Sequence, residues 1–138
     1  MSQLPKGGRV TKPFVETLFN HFLPTAVAGD AESQFELAEL WYYVVGLPDI
    51  AFDWYRRAAA AGHAKSAHRL SRMYLAGLGT EDNAGKAMLW GLIAVSLGEA
   101  DSVSVVKSAR RVLTRDEIVD VLQHFRDWRE SSGGRLRA

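Results

Sequence analysis

The chain has 138 residues, enough for one domain with its own core, and 17 basic against 16 acidic side chains leave a net charge of +1. It contains no cysteine, which excludes disulfides and thiolate catalysis. No run is long and apolar enough to cross a bilayer and the first nine residues lack the apolar core of a secretory signal, so a cytoplasmic protein without membrane contact is expected.

Residues 1–12 are rich in glycine and basic side chains and read as a flexible basic tail. Pro13 suits the first position of a helix. Phe14, Val15, Leu18, Phe19 and Phe22 share one face of it, and Pro24 is expected to break or kink it. This element reads as a cap on the array that follows.

From Gly29 onward the chain repeats itself. Gly29-Asp30-Ala31-Glu32-Ser33 returns as Gly62-His63-Ala64-Lys65-Ser66 and again as Gly98-Glu99-Ala100-Asp101-Ser102. Leu37 and Trp41 return as Leu70 and Tyr74, and Ala51-Phe52-Asp53-Trp54 as Ala87-Met88-Leu89-Trp90. A period in the thirties with small residues at fixed places marks helical hairpins that cannot bury their apolar faces alone and must stack.

The first unit covers about 29–61. Its helix A runs over 31–45 behind an Asp30 N-cap, with Gln34, Leu37, Ala38 and Trp41 inward, and its helix B follows Gly46-Leu47-Pro48 and ends at Gly62. The second unit, 62–97, has helix A over 64–76, a turn at Gly77-Leu78-Gly79, and helix B behind an Asn83 cap. A degenerate third unit and a capping helix fill 98–130. Its first helix is expected over 99–113. Thr114-Arg115-Asp116-Glu117 has the spacing of a capping box, and the helix it opens carries Ile118, Val121, Leu122, Phe125 and Trp128 on one face. Residues 131–138 read as a frayed tail, which gives one repeat domain over 13–130.

Charge is laid down in blocks. Every formally charged side chain from Phe14 to Asp53 is acidic, and every one from Trp54 to Thr80 is basic. Laying the units over each other puts Glu32, Glu36, Glu39 and Tyr43 on the helix A face opposite Leu37 and Trp41. The same face of the next helix A carries Lys65, Arg69, Arg72 and Ala76, and that of the third carries Asp101. Such rows either pair with each other or form a bipolar groove for a partner of complementary charge. A phosphate-binding array would carry its basic stripe across several units, so nucleic acid is not an expected partner.

Trp54-Tyr55-Arg56-Arg57-Ala58-Ala59-Ala60-Ala61-Gly62-His63-Ala64, Met73-Tyr74-Leu75-Ala76-Gly77-Leu78-Gly79 and Lys86-Ala87-Met88-Leu89-Trp90 together resemble the Sel-one-like repeat, a relative of the tetratricopeptide repeat. The resemblance covers about 29–102. It departs at Ala38 and Ser71, where the family usually has glycine, and at Gly91, where it usually has an aromatic. It implies an all-α, right-handed α/α superhelix of bacterial type whose A helices line a concave groove that binds other proteins, without cofactor or reaction.

The expected function is therefore a non-catalytic adaptor or scaffold that takes a protein or peptide on Glu32, Glu36, Glu39, Tyr43, Lys65, Arg69, Arg72 and Asp101. Tyr42 beside Tyr43 offers a second anchor. The alternative is a cytoplasmic inhibitor or immunity-type protein that covers a toxin or effector, with a hydrolase-type enzyme third. His21, His63, His68 and His124 lack a metal-ligand spacing, and neither a phosphate loop nor a nucleophile elbow is present, so no metal, cofactor or catalytic residue is expected. The second helix B is apolar nearly all round, from Met88 to Leu97, and needs cover from the C-terminal helix or from a second copy near Leu92.

Overall fold

A computed structural model describes residues 11–137 of the chain. Among them there is no strand, and the chain forms an α/α solenoid of antiparallel helical hairpins. Of the tail read at 1–12, residues 1–10 lie outside the described residues, and Lys12 already belongs to the first helix.

That helix, α1, spans Lys12–Val27. Pro24 lies inside it and does not end it, because a proline near the last turn costs only the one bond its missing N–H would have made there. Its inward residues Leu18, Phe19 and Phe22 close over Ala26, Leu37 and Leu40. Gln34 fastens the contact by donating its amide to the carbonyl of Ala26 at 3.1 Å.

Helix α2 (Ala31–Glu39) starts at Asp30, whose carboxylate accepts from the Ser33 N–H at 2.9 Å and from the Ser33 hydroxyl at 2.7 Å. These bonds hold the Asp30 carboxyl below its usual range. The helix continues as a π-helical stretch, Leu40–Val45, and stops at the left-handed Gly46. Helix α3 (Pro48–Ala60) returns antiparallel to it with proline at its start.

The second hairpin repeats the plan. Helix α4 (Ala64–Ala76) is capped by His63, whose Nδ1 accepts from the Ser66 N–H at 3.2 Å, and it ends at the left-handed Gly77. Helix α5 (Ala84–Ser96) is capped by Asn83, which accepts from the Lys86 N–H at 2.9 Å. Serine thus stands buried at the head of each unit, as Ser33, Ser66 and Ser102.

The third unit departs from the expected single helix. A 3-10 turn, Ala100–Ser102, precedes a shorter helix α6 (Val103–Val112). The capping box forms as read: the Thr114 N–H donates to Glu117 at 2.8 Å and the Glu117 N–H to the Thr114 hydroxyl at 3.2 Å. It opens α7 (Arg115–Arg137), which runs on through the stretch from 131 read as a frayed tail.

Packing runs from neighbour to neighbour: α1 on α2, α2 on α3, α3 on α4, α4 on α5, and both α6 and α7 on α5. One departure from the repeat pattern follows from size. Tyr55 of α3 is fully buried, whereas the equivalent Gly91 of α5 admits Val106 of α6; a Cβ on Gly91 would lie 2.8 Å from the Val106 methyl. Trp54 and Trp90, at equivalent places in the two units, are both half-buried against the edge of the core, Trp54 with Arg57 over its ring at 4.7 Å.

Candidate functional site

Side chains of α2 and α4 reach each other across the first two units, and the two charged rows touch at one ion pair, Glu39 with Arg69. The Arg69 guanidinium donates two bonds to the Glu39 carboxylate, Nε to Oε2 at 3.1 Å and Nη2 to Oε1 at 3.2 Å. The buried Tyr55 of α3 donates its hydroxyl to the same Oε2. The bond to Glu39 raises the Arg69 pKa above its ordinary value, so the guanidinium stays charged. Burial, and then the Glu39 carboxylate, raise that of Tyr55, so its hydroxyl stays a donor. The trio has no net charge and ties three helices together.

Towards the start of these helices, Glu32 lies 3.0 Å from His63 Nε2. Because Nδ1 accepts the capping bond, the imidazole proton sits on Nε2 and points to Glu32. Glu36, between these two pairs, has its pKa raised by burial first and then by the carboxylates of Glu32 and Glu39. Lys65 is exposed and makes no ion pair among the described residues.

Towards the other end the surface changes character. The π-helical stretch carries Tyr42 and Tyr43, with ring centroids 4.7 Å apart in edge contact. Tyr42 also meets Tyr55, at 6.5 Å, so one tyrosine links the exposed ring to the buried one. Tyr43 is 60% exposed, and the Arg69 guanidinium lies 5.9 Å from its ring centre. Beside it a cleft of about 80 Å³ is lined by the three tyrosines, Arg69, Arg72 and Met73, and closed by Ala76 and Leu78. Arg72 is exposed and makes no ion pair among the described residues. Local winding matters here, because a π-turn holds more residues than an α-turn and reorients the side chains it carries, and such turns recur at functional sites.

The structure brings Glu39, Tyr43, Arg69 and Arg72 into one cluster. Glu32, Glu36 and Lys65 form a second group with His63 a little over one turn away. Asp101 does not join either; it is exposed on the 3-10 turn of the third unit. There His68 of α4 shares a hydrogen bond of 2.6 Å with Ser102. Sequence reasoning missed Tyr55, which reads as one more aromatic of the core. Its signal is a repeat difference, tyrosine facing Glu39 where the next unit has Gly91. Among the described residues the arrangement offers aromatic faces, one guanidinium paired and one without an ion pair, and a shallow cleft. No group of three or more metal-ligating side chains is found among the described residues.

No family model matches the chain, and no curated protein does. Solved structures do. A Sel1 repeat protein from Oxalobacter formigenes is similar at a TM-score of 0.64 and 26% identity, over 70% of this chain and 41% of its own. A protective antigen present in uropathogenic Escherichia coli strains, described as displaying an SLR fold, is similar at a TM-score of 0.73 and 22% identity, over 85% of this chain and 25% of its own. The chain thus spans less than half the length of either neighbour, and its fold is the Sel1-like repeat solenoid.

Proposed function

We propose that this Sel1-like repeat array is a non-catalytic binding module that takes a segment of a partner protein along the face built by α2 and α4, anchored at Tyr42, Tyr43, Arg69 and Arg72. The observation that carries the reading is the exposed Tyr43 ring standing on a π-helical stretch beside Arg72, which makes no ion pair among the described residues. Tyrosine and arginine are among the side chains that most often dominate a protein interface, tyrosine because it gives large contact area at small entropic cost and arginine because its planar fork makes several hydrogen bonds at once. Arg69 supports the platform, since its charge is already spent on Glu39. The free charge of the cleft is therefore basic, and the ligand segment carries an acidic or carbonyl-rich group against Arg72.

The test uses a partner captured from the native host with the chain as bait and identified by mass spectrometry. Tyr43→Ala and Arg72→Glu both alter exposed side chains, so thermal melts should stay close to that of the parent. Each should weaken binding by about ten-fold or more, the Arg72 effect shrinking as salt rises. Unchanged affinity for both variants would remove the site from this face.

A further inference from the structure

The first two hairpins are closed and the third is open. Helix α2 packs along α3 and α4 along α5, whereas α6 and α7 both pack on α5 and, over the described residues, do not pack along each other. Between them lies an apolar groove of about 440 Å³. Its floor is Met88, Leu92 and Val95 of α5, and its walls are Val103 and Val106 of α6 facing Ile118 and Leu122 of α7. Leu122 is 47% and Val103 is 42% exposed, so the described residues leave the apolar side of the C-terminal hairpin uncovered. Helix α7, with Val121 buried on the core around α5, thus supplies only part of the cover that the apolar α5 requires.

We propose that this groove is the docking site for an amphipathic helix of a partner protein whose apolar face is flanked by acidic side chains. Shape points to a helix, because three helices that leave a gap beside a shared floor provide the ridges and grooves a fourth one packs into. Charge points to its flanks. Lys107 and Arg110 stand one turn apart at the groove and make no ion pair among the described residues. A second copy of the chain fits less well. The exposed apolar face of its α7, Val119 and Leu122, is bordered at helical spacing by Arg115 and Arg126 as well as by Asp116, and Arg126 lies 3.8 Å from Glu130, so that helix does not offer the acidic flanks that Lys107 and Arg110 call for. This surface is separate from the tyrosine cluster, and either can fail without the other.

The test titrates the full chain with two synthetic helical peptides about four turns long, both with leucines at i, i+3, i+4 and i+7, one flanked by glutamates and the other by lysines. Backbone amide NMR shifts on the glutamate peptide should cluster at Leu92, Val106 and Ile118, and its affinity should exceed that of the lysine peptide by about ten-fold or more at low salt. The double variant Lys107→Glu, Arg110→Glu changes two exposed side chains; its melt should match the parent and the peptide preference should reverse. Equal affinity for the two peptides, or shifts that fall elsewhere, would overturn the proposal. So would sedimentation showing a dimer of the chain that Leu122→Glu dissolves.

Discussion

Among the described glycines, Gly79 leaves the least room for a side chain. Its φ is +77°, and a Cβ there would run into the Pro48 carbonyl at the start of α3, with the Met73 methyl 2.9 Å away. Gly46 also has a positive φ, +82°, but a Cβ on it would meet nothing within 4 Å. The two separate conformational strain from collision. Gly46→Ala should cost about 1 to 2 kcal/mol, the penalty of left-handed backbone for an L-residue. Gly79→Ala should cost more than that, because the loop between α4 and α5 must also lift off α3. Urea denaturation midpoints of the two variants check the order, and equal losses would mean that the loop moves freely. Gly91 shows the opposite use of a missing side chain, since it is the close approach of Val106 that requires it.

Within the elements, the caps were legible and the irregularities were not. Asp30, Asn83 and the Thr114–Glu117 box do what their side chains dictate locally, so sequence found them and the structure agrees. The π-helical winding of Leu40–Val45 and the open third hairpin depend on how neighbouring helices seat, and composition carries no trace of that. The Glu39–Arg69 bond was legible as one of two adjoining charged rows, while its third member, Tyr55, was hidden among core aromatics. The joint between α4 and the third unit makes a pH prediction. Burial first, then the charges of Arg72 and Arg69, lower the His68 pKa from its ordinary 6.5, against weaker opposing effects of Glu99 and Asp101. The folded state therefore favours neutral His68, and as pH falls below 6.5 the unfolded chain takes up the proton first. Stability should drop through that range and level off once the folded form is protonated. Glu36, with its pKa raised, acts with the opposite sign at lower pH, because its folded form gains the proton first. Comparing the melting temperature of the parent with that of His68→Gln between about pH 7 and 5 isolates the histidine; a parallel pair of curves would refute its role.

At the scale of the whole molecule, the array is a row of nearest-neighbour contacts with a different cover at each end. Helix α1 closes the first end with Phe19 against Trp41, ring centres 5.0 Å apart. Helix α7 lays Val121, Ile118, Phe125 and Trp128 on the core around α5. A chain ending at Leu113 should therefore melt at lower temperature, lose its single cooperative transition and scatter light at concentrations where the full chain stays clear. A truncated chain with an unchanged melt would show that α7 is no cap. Packing each helix only on those near it in sequence also governs the response to tension. In a globule whose first and last elements touch, pulling on the ends loads many contacts at once and the molecule resists until all give way. Here the pull passes through one helix interface after another, like a zip fastener opened from its end, so the array should lengthen in steps of about one hairpin at modest force, and an optical-trap trace with a single all-or-none rip would contradict this.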